Sequence, residues 1–485
     1  MTFAEWFPAL LPEAILLIAA LAILGIDIGL LRDAPAAFRL RLGAVIAVVA
    51  CGAGIYTIVA GPLLHPMVGQ VLLFDPLANG ARVAILVLTA ATILISTGGR
   101  MPGQPAEFLA VVLLSATGMS LMAASTNLLI AFVALELASL GLYILTGFDK
   151  RSPDSAEAGL KYFLFGGVSA ACLLFGFSLI YGLSGSLYLP EISAVLSGMG
   201  FSPLLAVALV MVVVGFGFKI AAAPFHLWAP DAYQGAPVAS AAFIASASKI
   251  AGVALFFRLF WSGLVPGVGT IWDFSGPPGW FVILGLLAAA SLLLGNFAAI
   301  VQGNPRRLLA YSAIAHAGIM LLGVMIGGTA GTRPLLYYVI TYAISTVGAF
   351  GVVAALEASG VGPRITDLAG LWRRSPVLAA CLSIFILSLA GIPPLAGFFG
   401  KFFIFAGIFS ADPGTPLFWL MVLAIVMSAV SLYYYLIVLK HALVVEAPEA
   451  QAPVPVSPAA VLTLVGLAAA TIALGLTPSA LLAFL

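Results

Sequence analysis

Residues 376–409 read PVLAACLSIFILSLAGIPPLAGFFGKFFIFAGIF, a run of 34 residues whose charged member is Lys401. As a straight helix it would be about 51 Å long, far more than the roughly 30 Å of a bilayer core. Gly391, Pro393, Pro394, Gly397 and Gly400 interrupt it. Proline removes a backbone hydrogen bond and clashes with the preceding turn. The stretch therefore predicts two half-helices joined by unwound backbone. Such backbone is tolerated at membrane depth only where it lines protein or a cavity. The segment 203–229 is a second case, with Lys219 and then Pro224 in KIAAAPFHLWAPD. Paired interrupted spans are a sequence pointer to a transport site.

Composition around these segments agrees. The chain has 485 residues, 63% apolar and 8% charged, where a soluble domain carries about 25% charged residues. Nineteen basic and eighteen acidic groups cannot cover the surfaces of a soluble chain this long. Soluble and disordered classes are excluded. A net charge of +1 speaks against a nucleic-acid partner. Cys51, Cys172 and Cys381 lie far apart in apolar runs and suggest neither disulfides nor a metal knuckle. There is no G-x-G-x-x-G and no N-x-S/T sequon, and nothing suggests that this chain binds a nucleotide, haem, iron–sulfur cluster or other cofactor or metal. The N-terminus lacks a basic n-region and any Arg- and Ser-rich transit peptide, so it reads as a first span.

The expectation is an all-α polytopic membrane protein with about fourteen spans: 8–31, 42–60, 77–97, 107–124, 126–146, 157–183, 203–229, 237–262, 279–302, 307–328, 334–357, 376–409, 415–439 and 456–476. The Pro- and Ala-rich stretch 446–458 is the longest linker. With the N-terminus outside, twelve loop cations fall inside: Arg32, Arg39, Arg41, Arg100, Lys150, Arg151, Arg306, Arg307, Arg364, Arg373, Arg374 and Lys440. Only Arg333 falls outside. Positive loops stay on the cytoplasmic side, so both termini are expected outside, in the periplasm of a bacterium.

Six cations remain within spans. Arg82 and Arg258 lie near outer span ends and read as snorkelling residues. Lys161 lies about six residues into its span and can also snorkel. Lys219 and Lys249 sit near span centres, Lys401 follows the break, and Glu136 lies at the centre of TNLLIAFVALELASLGLYILTGF. Each such charge costs roughly 2.5–3.5 kcal/mol at a helix centre. Leucine would pack better, so a functional reading is favoured over ion pairs that merely fix helix register. His226 and His316 also lie at membrane depth and suit a proton relay, although a lone histidine is often only an interhelical hydrogen bond. No His-x-x-x-His or Glu-x-x-His pair points to a metal.

The spacing suggests a repeat. Lys219 and Lys401 are 182 residues apart and Glu136 and His316 are 180 apart. Five spans separate each pair, an odd number, so the copies are expected to be inverted. The expected organisation is 1–106 for helices 1–3, 107–262 for a first five-helix repeat, 279–440 for an inverted second repeat, and 456–485 for the last helix, with one discontinuous helix in each repeat. Burial lowers a lysine pKa and a nearby carboxylate raises it. Moving one charge across roughly 150 mV takes about 3.5 kcal/mol, a swing of about 2.5 pKa units. Breaking and remaking a buried Lys–Glu pair can supply that, and a line of lysines suits protons better than metals or organic substrates.

The motifs ALELASLGLYILTGF, DSAEAGLKYFLFGG, FKIAAAPFHLWAPDAYQGAP, SASKIAGVALFFR, RRLLAYSAIAHAG and LAGIPPLAGFFGKFFIF resemble the antiporter-like membrane subunits of respiratory complex I, NADH:quinone oxidoreductase. These are related to the large subunits of multisubunit sodium/proton antiporters. The resemblance runs over nearly the whole chain. It is nearest to the subunit N branch: Lys401 stands where the M branch has Glu, and the chain stops after span fourteen, without the lateral helix of the L branch. The resemblance implies Glu136 and Lys219 as the input pair, with Lys161 modulating Lys219. It implies Lys249 as the connector, and His316 on the path to Lys401 at the output. It also implies that NADH, flavin, iron–sulfur clusters and quinone are handled by partner subunits, with homologous subunits on the flanks. The alternatives are a subunit of a free-standing cation/proton antiporter, a membrane scaffold without transport, and an intramembrane metalloenzyme.

Overall fold

A computed structural model describes residues 8–61, 67–68, 70–99, 103–269, 279–411, 416–446 and 456–485. Arg100 and most of the 446–458 linker lie outside the described residues. Twelve helices among those described are long and apolar enough to cross a membrane. Two further spans are interrupted: Pro203–Lys219 with Trp228–Gly235, and Pro376–Ala390 with Ala396–Ala411. Together they make the fourteen that hydropathy predicts, within a few residues at each end.

The chain starts many of these helices in one way. At Asp75, Ser152, Ser202 and Asn304 a side-chain oxygen accepts a hydrogen bond from the first turn, and proline is the next residue. The cap satisfies a free N–H, and proline fits the first helical position because its missing N–H is not needed there. Many prolines here are therefore start signals, and those inside the two interrupted spans act as breakers.

The breaks differ in detail. After Lys219 the chain passes through Ala221, a non-glycine residue in the left-handed region with φ 57°. After Ala390 the left-handed residue is Gly391, φ 88°. A Cβ there would stand 3.2 Å from Lys401 Nζ, so glycine serves both the turn and the lysine lying over it.

The eleventh span, Gly328–Ala358, is the central pillar. It touches the third, eighth, tenth and fourteenth spans and both halves of the twelfth, and its apolar stretch is wholly buried. The first, second and sixth spans leave large apolar side chains such as Ile18, Val49 and Phe175 uncovered, as lipid-facing helices do. Hydropathy did not reveal two small elements. Leu189–Met199 is a short amphipathic helix that buries Leu189, Ile192 and Leu196. Met67–Val68 pairs with Leu72–Leu73 in a two-stranded ribbon.

Candidate functional site

Glu136 and Ser139 lie one turn apart on the fifth span, Leu128–Thr146, which Asn127 caps. Such residues share a helix face. Opposite them stands Lys219, the last residue of its half-helix. Lys219 Nζ donates to Ser139 Oγ at 2.9 Å. Glu136 makes no direct ion pair with it, and Glu136 Oε1 is buried without a hydrogen-bond partner. Both residues line a cavity of about 10 Å³ with Ser139, Tyr143 and Ser169. That is close to the smallest space that admits one water. Carboxylate and ammonium therefore face a shared gap.

Lys249 is buried three residues past a backbone irregularity at Ser246 (φ −122°, ψ −80°) that splits the eighth span. Its Nζ donates to Ala313 O at 2.6 Å and lies 5.5 Å above the Tyr342 ring. The stem of Lys219 crosses the same helix one turn on, where a Cβ on Gly252 would meet Lys219 Cγ at 3.2 Å. Lys249 thus stands between the Lys219 stem and the tenth span, Pro305–Ile326.

The tenth span carries His316. It packs tightly on the ninth: a Cβ on Gly295 would come within 2.4 Å of Ala315 N, the close approach that small residues permit between membrane helices. His316 Nδ1 bonds with Tyr338 Oη at 2.6 Å and Nε2 with Tyr435 Oη at 3.2 Å. Tyr435 Oη is also bonded to Ser312 Oγ. Lys401 Nζ donates to Leu389 O at 3.2 Å and Ala390 O at 3.0 Å. These carbonyls end the first half-helix, where the helix dipole favours a cation. His316 and Lys401 line a second cavity of about 10 Å³ with Asn296, Ser428, Ser431 and Tyr434.

The structure thus brings Glu136 to Lys219, Lys249 to the His316 helix, and His316 to Lys401. It does not bring in His226 or Lys161. His226 lies in the unwound segment, its Nδ1 buried without a partner, and lines neither cavity. Lys161 is half-exposed and paired with Glu157 at 2.6 Å and Asp231 at 2.9 Å. The snorkelling reading of Arg82 and Arg258 is corrected, because both side chains are buried. Arg82 is held by Glu13 at 2.8 Å, and Arg258 by Asp75 at 2.6 Å. The acids stand 69 and 183 residues away in sequence, so no local pattern announces the pairs. Sequence reasoning also missed Ser139, Tyr338 and Tyr435, since hydroxyls in apolar spans carry no hydropathy signal, and Asp231, whose cations come from distant segments. A larger cavity, about 210 Å³, lies at the basic-loop end among Asp149, Asp154, Arg306 and Glu357.

A polytopic helical bundle with two broken spans, each beside a buried lysine, is the architecture of the antiporter-like membrane proteins. Residues 125–431 match the family described as NADH:quinone oxidoreductase/Mrp antiporter, TM, and the chain belongs to that family. It is 46% identical over 499 aligned positions to NADH-quinone oxidoreductase subunit N 2 of Acidobacterium capsulatum, covering 100% of this chain and 99% of the relative. It is 41% identical over 441 positions to NADH-quinone oxidoreductase subunit N 1 of Roseiflexus castenholzii, covering 86% and 80%. A chain in respiratory complex I from Thermus thermophilus with bound aureothin is similar at 33% identity and TM-score 0.78, over 97% of this chain and 98% of that one. A chain in the Mrp complex from Dietzia shares the fold at TM-score 0.79 and 20% identity, over 98% and 96%.

Proposed function

We propose that this chain is a proton-translocating membrane-arm subunit of an NADH:quinone oxidoreductase. The observation that carries the reading is a pair of water-sized cavities, each lined by a buried lysine and other polar side chains, with Lys249 held on the tenth span between them. Glu136 and Lys219 form the loading pair, Lys249 the connector, and His316 with Lys401 the release side. The lysines are the carriers, since each can hold or give up a proton without covalent change. His226 and Lys161 stand outside this chain of contacts, and their part is indirect. Redox chemistry belongs to partner subunits that hold flavin, iron–sulfur clusters and quinone, and homologous subunits flank this one.

The same reading treats 107–262 and 279–440 as inverted repeats, with 1–106 and 456–485 as flanking helices. Support comes from the break in the seventh span of one and the twelfth of the other, each beside its lysine. The excess of loop cations at one end supports an orientation with both termini periplasmic in a bacterial inner membrane. The high identity to the Acidobacterium relative favours this reading over a free-standing antiporter, for which the fold and the shared family speak.

The test is proton pumping by the whole complex in sealed vesicles, driven by NADH and a quinone. Lys249→Ala and Lys401→Ala are expected to assemble normally, since each relieves a buried charge, and to lower pumping by about tenfold or more. A fully assembled double variant that pumps at the normal rate would sink the relay. Flavin and iron–sulfur subunits should co-purify with the chain, and their absence would favour the antiporter alternative.

A further inference from the structure

Just past the first break, the half-helix Trp228–Gly235 is tied to both halves of the molecule. Trp228 Nε1 donates to Phe218 O at 3.0 Å, which joins the half-helix to the residue before Lys219. The Trp228 ring also stacks on Tyr162 of the sixth span at 4.2 Å, and the ties made by Asp231 are ionic. Asp231 Oδ2 accepts from Lys161 Nζ at 2.9 Å, and Oδ1 accepts from Arg307 Nη1 at 2.7 Å. Lys161 belongs to the sixth span. Arg307 begins the tenth, the helix that carries His316 and the Ala313 carbonyl bound by Lys249. One carboxylate thus joins a cation from each half.

The neighbour of Arg307 holds the end of the same half-helix. Arg306 Nε donates to Tyr233 O at 3.1 Å, and its Nη2 donates to Gln234 O and Ala236 O. A guanidinium on the last carbonyls of a helix is doubly favoured, by charge-assisted hydrogen bonds and by the dipole. This contact fixes the half-helix end to the tenth span whatever Asp231 does.

Asp231 itself is differently placed. Each of its cations has a second acceptor within reach. Lys161 Nζ lies 2.6 Å from Glu157 Oε1, and Arg307 Nη1 lies 3.2 Å from Gln234 Oε1. Either cation can leave Asp231 without being stranded, and because all three side chains are partly exposed the exchange is cheap.

We propose that Asp231 is a positioning residue for translocation, a carboxylate that trades partners between Lys161 and Arg307 and so couples the sixth span to the half-helix and tenth span that Arg306 holds together. This rests on the relay reading above. Glu157 is then the holder of Lys161 during the exchange.

The test uses the whole complex in sealed vesicles, with protons pumped per NADH oxidised as the readout. Asp231→Asn should assemble and lose about fivefold, and Asp231→Glu should recover at least about half of the normal ratio. Glu157→Gln alters an exposed side chain whose loss leaves the fold intact, and it should still cost about threefold. Adding Arg307→Gln to Asp231→Asn should cost less than about twofold more, because the partner is already lost. Normal pumping in Glu157→Gln, or in assembled Asp231→Asn, overturns the proposal. So does an Asp231→Asn that fails to assemble while Glu157→Gln pumps normally. Glu136→Gln in the same preparations separates the two readings. If it too pumps normally, the relay itself falls. If it fails while Asp231→Asn and Glu157→Gln pump normally, only the role of Asp231 falls.

Discussion

The two cavities hold a buried lysine by different means. In the first half Lys219 has a hydroxyl partner and faces a carboxylate across a gap. In the second half Lys401 is bound by two backbone carbonyls at a helix end, and no acid among the described residues lines its cavity. A carboxylate can change charge or swing away, whereas a helix terminus can do neither. The first lysine sits in a well whose depth is adjustable, and the second in one of fixed depth. On the proposed reading, control over proton movement lies with Glu136, and the second half follows.

The most severe test of that contrast is Glu136→Gln. It keeps shape and hydrogen bonding and deletes the adjustable charge, so pumping should fall by about a hundredfold in a complex that assembles normally. Pumping like the unaltered complex would make the two halves equivalent and the contrast empty. Next come the arginine replacements. Guanidinium keeps the charge and cannot release its proton, so Lys219→Arg and Lys401→Arg should each cut pumping by about tenfold. If Lys401→Arg is tolerated and Lys219→Arg is not, the second lysine is a fixed charge and no carrier. The mildest pair removes single hydroxyls. Ser139→Ala leaves Lys219 without its direct partner, and Tyr338→Phe leaves His316 Nδ1 unpaired. A hydrogen bond contributes about 0.5–1.5 kcal/mol net, so a rate loss of about two- to tenfold is expected for each. A larger loss for Ser139→Ala, read from the same vesicle assay, would sharpen the case for control in the first half.

The sequence was most informative where chemistry conflicted with its surroundings. Glu136, Lys219, Lys249 and Lys401 stand out because an ionisable group in an apolar run must be compensated somewhere. The broken spans stand out because proline and glycine change the backbone itself. What compensates the charges was hidden. Ser139 looks like any serine in a membrane helix, and the carbonyls that bind Lys401 have no sequence signal. Arg82 and Arg258 show the same limit from the other side. Their depth was legible, but Glu13 and Asp75 reach them only through the tertiary fold. Asp231 was passed over because an acid near a span end is ordinary until Lys161 and Arg307 converge on it.

The residue that turns the chain at each break has a thermodynamic consequence. Ala221 holds a left-handed backbone at φ 57°, a conformation that costs an L-residue roughly 1–2 kcal/mol. Gly391 holds its own without that penalty, but glycine gives up more freedom when it is ordered. The first break is thus spring-like, its energy stored as enthalpy in a single dihedral and released if the segment rearranges. The second stores no such dihedral strain, and the freedom that glycine gives up on ordering favours its release, a pull that grows with temperature.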